Sequence, residues 1–165
     1  MENLFEKESV KRVIRILNEF NSELKVQVLS SSARTAIDAA NSLKCEVGAI
    51  VKSLLLKADN GFVLCLVSGD KKCSLNKVKK IIGKKDVCMA NAEDVKKETG
   101  YTIGGVSPVG HTNALKIMID EKLNRFQDIF AAAGHPNAVF KIDFKNLKEI
   151  TNGTIFDISE WDNQP

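Results

Sequence analysis

Lys52 interrupts an otherwise apolar run, "AIVKSLLLKA", residues 49–58. In a strand, successive side chains point to opposite faces. Ile50, Lys52, Leu54 and Leu56 would share one face, and Val51, Ser53, Leu55 and Lys57 the other. The even-numbered face is the more apolar. An ammonium there either snorkels to water or meets a partner, because burying it unpaired is costly. A lysine lining a pocket would meet an anion or a polarised carbonyl; a strand-end lysine would simply reach solvent. The second chemical stretch is "GYTIGGVSPVGH", residues 100–111, with four of the ten glycines and the only tyrosine. Gly104 and Gly105 open backbone geometries closed to other residues. Pro108 stiffens the exit and biases Ser107 to an extended form. Consecutive N–H groups around Val106 in such a turn form a concavity for an oxyanion or phosphate. A plain connector is the alternative, since neither a Walker motif nor G-x-G-x-x-G spacing is present.

Two further stretches bear on chemistry. "KKCSLNKVKKIIGKK", residues 71–85, holds seven lysines and no acid. Lys77, Lys79 and Lys80 fall on the polar side of a helical pattern. A solvated lysine face is the commoner explanation, and contact with a phosphate backbone the functional one. Without aromatic residues there, base stacking is not indicated. "AAAGHPNAVF", residues 131–140, is a second Gly/His/Pro turn, and His135 reads by default as a turn residue. The carboxylates are scattered, and no Ser/His/Asp, Cys/His or paired-acid arrangement stands out.

Several elements must position these residues. "SVKRVIRILNEF" has helical spacing with Ser9 as N-cap, and "KVQVL" is a short strand. "SSSARTAIDAANSLKC" reads as a helix opened by capping serines. Asn60-Gly61 signals a hairpin turn between two strands. The second of them, Phe62–Val67, is apolar throughout and so should be covered on both faces. "SLNKVKKIIG" places Leu75, Val78, Ile81 and Ile82 on one helix face, with Gly83 as C-cap. "DVCMA" is a strand, and "NAEDVKKETG" a helix from cap Asn91 to Gly100. "LKIMID", "DIFAAAG", "AVFKIDF" and "TIFDIS" read as strands, with "DFKNLKEITNG" as a helix. The sum is an α+β domain, with strands mostly joined by hairpins and helices around them.

Composition narrows the class. The 165 residues suit one domain spanning 1–165, large enough to bury a core without disulfides or metals. The net charge of +3 suits an anionic partner without demanding one. Cys45, Cys65, Cys73 and Cys88 show no C-x-x-C spacing, and only two histidines are present, so no metal site is expected. Cys45 and Cys65 sit in apolar company as reduced thiols, which points to a cytoplasmic location. The N-terminus has no signal-peptide pattern, and no apolar run is long enough to span a bilayer.

Taken in order, "VKSLLLKADNGFVLCLVSGD", "TGYTIGGVSPVGH", "AGHPNAVF" and "LKEITNGTIFDISE" resemble the YbaK/prolyl-tRNA synthetase-associated editing domain family. The resemblance runs from about Ser30 to Glu160. It implies a single mixed, mostly antiparallel, barrel-like sheet with surrounding helices and one central pocket. It implies an aminoacyl-tRNA deacylase in which Lys52 matches the family's essential lysine. Gly104, Gly105, Val106, Ser107 and Pro108 match the G-x-x-x-P loop that holds the terminal adenosine and ester. His135 matches a histidine that positions the aminoacyl group. Ser53, on the opposite side of the strand by alternation, is not expected to be catalytic.

The resemblance further implies that water, helped by the ribose hydroxyl of the terminal adenosine, attacks the ester. Lys52 and the loop amides would then stabilise the developing charge, and no cofactor is expected. The expected partner is the acceptor end of a mischarged tRNA, foremost tRNA-Pro carrying Ala, Cys, Ser or Thr. Lys77, Lys79 and Lys80 would assist that contact. A synthetase pocket discriminates one methylene by only about 1–3 kcal/mol, so a second, hydrolytic site makes up the difference. The chain has no room for a synthetase, so it would act in trans, free or beside an aminoacyl-tRNA synthetase, as a monomer. Two alternatives stay open: a non-catalytic module on the same fold that binds aminoacyl-tRNA or a synthetase, and a nucleotide-binding protein using the glycine loop as an anion nest.

Overall fold

A computed structural model of the chain describes residues 3–30 and 35–162. Its helices are α1 (Glu8–Phe20), α2 (Ala36–Leu43), α3 (Leu75–Ile82), α4 (Ala92–Thr99) and α5 (Phe144–Thr151). Its strands are β1 (Val26–Val28), β2 (Val51–Ala58), β3 (Gly61–Ser68), β4 (Lys71–Cys73) and β5 (Val87–Met89). They continue with β6 (Lys116–Asp120), β7 (Ile129–His135), β8 (Ala138–Ile142), β9 (Thr154–Phe156) and β10 (Ser159–Trp161).

The α+β class holds, and the pairing is mixed and mostly antiparallel. The strands form three ladders rather than one sheet: β5-β2-β3-β6-β9, β1-β8-β7 and β10-β4. Each ladder has open edges. Only β2–β3 and β7–β8 are hairpins of consecutive paired strands, fewer than the turn signals suggested, because β3–β6 and β6–β9 pair in parallel across longer connections. An isolated parallel bridge, Ile50 to Phe130, joins the first two ladders just before β2 begins.

The expected two-faced burial of β3 is observed. Leu64 and Leu66 enter the larger core with Val10, Val13 and Leu17 of α1 and Phe140 of β8. Val63, Cys65 and Val67 enter a smaller core with Val78 of α3 and Ile158. Ile81, expected on the packed face of α3, instead lies exposed.

Local capping follows side-chain chemistry. The hydroxyls of Thr35 and Ser74 and the side-chain oxygens of Asn91 and Asp143 accept the third-residue N–H of their helices. The cap of α2 is thus Thr35; Ser31 and Ser32 lie outside the described residues. Ser9 does not cap α1, which begins one residue earlier without a side-chain cap. Its hydroxyl instead donates to the Gly134 carbonyl at 2.9 Å. That crossing requires a glycine: a Cβ at Gly134 would come within 2.6 Å of the Ser9 carbonyl oxygen.

The β2–β3 hairpin turns at Asp59-Asn60, because Ala58 pairs with Gly61. Asp59, not Gly61, takes positive φ, at +52°. Its backbone N–H donates to Asp86 at 2.8 Å, and its carboxylate accepts from Asp86 N–H at 2.9 Å, so the turn is tied to the start of β5. Asp tolerates this conformation because its short polar side chain bonds locally.

Two strands were not legible in the sequence, β4 and β10. They pair with each other, Cys73 opposite Ser159 and Lys71 opposite Trp161. Buried Asp120 anchors this ladder, accepting from Ser159 Oγ at 3.0 Å, Ser68 N at 3.1 Å and Lys122 N at 3.1 Å.

Candidate functional site

The first half of β2, the start of α2, the loop at 103–106 and the β7–β8 turn enclose a cavity of about 470 Å³. It sits where the Ile50–Phe130 bridge joins two ladders. Ladders that part beyond a bridge leave a wedge their own side chains do not fill. Most of its lining is apolar, and Lys52, Ser53 and Asp162 are its charged or hydroxyl-bearing groups on the β2 and β10 sides. Ile37, Met89 and Ile103, three of the chain's exposed large apolar residues, line it as well.

Lys52 is half-buried in this wall, and its Nζ donates to the main-chain carbonyl of Lys71 on β4. Burial pushes its pKa below the ordinary lysine value. Asp162, Cys73, Asp70 and Asp120 pull in the opposite direction. The ammonium is therefore neither a solvent-exposed strand-end group nor an unpaired buried charge. It is held by one backbone acceptor, with donor capacity left for another.

The glycine loop divides into two parts. Gly104 and Val106 line the cavity, together with Ile103, and Gly104 takes φ +92°. Gly105, Ser107 and Pro108 are buried behind that wall and do not line it. Gly105 packs on the β7–β8 turn: an added Cβ would lie 3.0 Å from His135 Cα and 3.2 Å from Pro136 Cδ. The far end of the loop is pinned from outside. Tyr101 OH donates to the Val109 carbonyl at 2.7 Å, and His111 Nε2 donates to the Ser107 carbonyl at 2.7 Å. The two rings meet edge to face at 6.2 Å, and the Arg12 guanidinium lies over Tyr101 at 4.9 Å. Burial lowers the His111 pKa; the bond to Ser107 opposes this and Arg12 reinforces it.

His135 closes β7 next to the wall. Its Nδ1 accepts the Asn137 N–H at 3.0 Å, and Pro136, not His135, reaches the cavity. The three lysines singled out in the helical pattern separate. Lys77 Nζ is engaged by Asp157 at 3.0 Å and by the Ser159 carbonyl at 2.7 Å, whereas Lys79 and Lys80 stand exposed and line a surface groove with Lys84.

Ser53 is the residue that strand alternation misjudged. It points away from Lys52 yet lines the same cavity, because the cavity wraps the strand where β2 leaves its ladder. Its Oγ is buried with no hydrogen-bond partner among the described residues. Asp162 on the opposite wall was also missed, since nothing in the sequence signals that the chain returns past β4.

Residues 30–150 match the model of a family described as the aminoacyl-tRNA editing domain. An uncharacterized Bacillus subtilis protein, YwhH, is 31% identical over 87% of this chain and 91% of its own length. A proline–tRNA ligase of Thermosipho africanus is 36% identical over 57% of this chain, but only 17% of that enzyme is covered. A crystal structure described as a candidate trans-editing enzyme for prolyl tRNA synthetase superposes with a TM-score of 0.88. It is 38% identical and covers 93% of this chain and 98% of its own.

Proposed function

Since this chain belongs to the aminoacyl-tRNA editing domain family, we propose that it is a trans-editing deacylase that hydrolyses the ester of a mischarged tRNA. The substrate we assign is tRNA-Pro carrying a small wrong amino acid: Ala, Cys, Ser or Thr. One observation carries the reading: Lys52 and the Gly104–Val106 backbone, far apart in sequence, share a single apolar cavity.

The chemistry follows from what those groups can do. An aminoacyl ester is already activated, so positioning and electrostatics suffice. The terminal adenosine and its ester enter the cavity, and the main chain at Gly104 allows close approach. Water attacks the carbonyl carbon, assisted by the ribose hydroxyl. The Lys52 ammonium, already oriented by the Lys71 carbonyl, stabilises the charge that builds on the carbonyl oxygen. One such preorganised donor contributes about 2.7–4 kcal/mol. Gly105, Ser107, Pro108 and His135 act as the support that fixes this wall, and Lys79 and Lys80 meet the phosphate backbone of the acceptor arm. A small cavity admits small aminoacyl groups, complementing what a synthetase pocket cannot exclude.

The test is hydrolysis of Ala-, Cys-, Ser- and Thr-tRNA-Pro by wild type and Lys52→Ala, with Pro-tRNA-Pro and Ala-tRNA-Ala as controls. Deacylation of one or two mischarged species is expected, falling about 10²–10³-fold in Lys52→Ala. Folded protein that binds tRNA but hydrolyses none of the panel overturns the enzyme in favour of a binding module.

A further inference from the structure

Cys65 and Cys73 meet beside the Lys52 strand. Cys65, on β3, is fully buried in the smaller core, and Cys73, the last residue of β4, packs half-buried against the same cluster. Cys65 S–H donates a hydrogen bond to the Cys73 sulfur. The other cysteines stand apart: Cys45 packs against a different cluster, and Cys88 is exposed on β5. The donated bond, with the Lys52 ammonium assisting, lowers the Cys73 pKa, while burial and the carboxylates of Asp120 and Glu160 oppose this. Such a thiol is the reactive member of a pair, and the buried one beside it is positioned to resolve it.

We propose that Cys65 and Cys73 form a redox pair, oxidised by a hydroperoxide to an intramolecular disulfide that ties β4 to β3. The Cys73 thiolate attacks the peroxide, the O–O bond breaks, and hydroxide leaves and is protonated to water. This gives a sulfenic acid at Cys73. The Cys65 sulfur then attacks the sulfenic sulfur: the S–S bond forms, the S–O bond breaks, and the Cys65 proton leaves with the hydroxide as a second water. One hydrogen peroxide is reduced and two thiols are oxidised.

The link reaches the cavity through β4. Among the described residues β4 pairs only with β10, over a short ladder, so little backbone pairing resists its displacement. The carbonyl that holds Lys52 belongs to Lys71, on that same strand. Drawing the two sulfurs to covalent distance moves this carbonyl and the ammonium with it, and turnover falls. The loss of turnover rests on the deacylase reading; the crosslink and the strand movement do not.

The experiment treats the purified chain with hydrogen peroxide, alkylates the remaining thiols and maps peptides without reduction. A Cys65–Cys73 linked peptide that dithiothreitol releases is expected. Trp161, the only tryptophan, pairs opposite Lys71 and reports on β4 by fluorescence. Its emission should change on oxidation in wild type and stay constant in Cys73→Ser and, independently, in Cys65→Ala. Deacylation should fall about tenfold or more with the link and return on reduction. Cys65 and Cys73 recovered unlinked while Cys88 is oxidised overturns the pair. A linked peptide with unchanged Trp161 emission and unchanged turnover overturns its control of the site.

Discussion

The Lys52 ammonium on β2 is hydrogen-bonded to the Lys71 carbonyl on β4, across a gap that no sheet ladder bridges. A side chain from the largest ladder thus depends for its orientation on a strand of the smallest one. Disturbing either the charge or the strand should be felt at the cavity.

The charge itself carries a pH signature. Burial sets the folded-state pKa of Lys52 below its unfolded value. Between those two values the unfolded chain holds the proton more often, so stability rises with pH there. Below that window the cost of burying the ammonium is present in full; above it the cost is gone. Against Lys52→Met, wild type should therefore gain unfolding free energy as pH climbs from the lowered pKa towards the ordinary lysine value. Urea titrations at a series of alkaline pH values measure this, and a flat difference would show that Lys52 is not desolvated.

Two adjacent glycines should fail for different reasons. At Gly104 a Cβ meets only Pro136 Cγ, at 3.5 Å, so the cost of Gly104→Ala comes from the positive φ, about 1–2 kcal/mol. At Gly105 the added Cβ presses on His135 backbone, which cannot swing aside. Gly105→Ala should lose roughly 1–3 kcal/mol by overpacking and push the loop off the β7–β8 turn. Denaturation midpoints with hydrogen exchange at 100–111 separate the cases: exchange in that loop should rise more for Gly105→Ala.

The loop should also weaken in mild acid. The folded-state pKa of His111 lies below its unfolded value of about 6.5 because of burial. The unfolded chain then takes up the proton first as pH falls, so the contribution is complete above that value and lost as pH drops through the window below it. Thermal unfolding of wild type from pH 7.5 to pH 5 should show this loss. In His111→Gln, which keeps a donor for the Ser107 carbonyl, the slope across that range should be shallower.

The lysine cluster should split by function. Lys77 is engaged by Asp157 and Ser159, so Lys77→Gln should leave the salt dependence of tRNA binding in place and cost about 1 kcal/mol or less in stability. Lys79→Gln with Lys80→Gln should weaken binding and lower the salt slope by roughly one unit for each phosphate left unneutralised. An unchanged slope in the double variant would remove these lysines from the interface.

Much of this was readable along the chain because it depends on neighbours in sequence. Capping side chains at Ser74 and Asn91, left-handed glycines at Gly83 and Gly100, and the uniform apolar run of β3 are local signals, and the structure honours each. The misreadings share a different cause. Ser9 has the chemistry of a cap but is claimed by Gly134, distant in sequence. Gly61 has the chemistry of a turn, but pairing register hands positive φ to Asp59.

Residue type and order were enough to mark most of the segments that become helices and strands, and to single out Lys52 and the glycine loop. They could not tell that Ser53 shares the cavity, that Pro136 reaches it in place of His135, or that β10 returns to pair with β4 beside Lys52. Nor could they bring Cys65 to Cys73; packing did that. The reason is physical: propensity and periodicity are set by a residue's own neighbours, whereas a cavity wall or a sulfur–sulfur contact is set by how separate ladders pack.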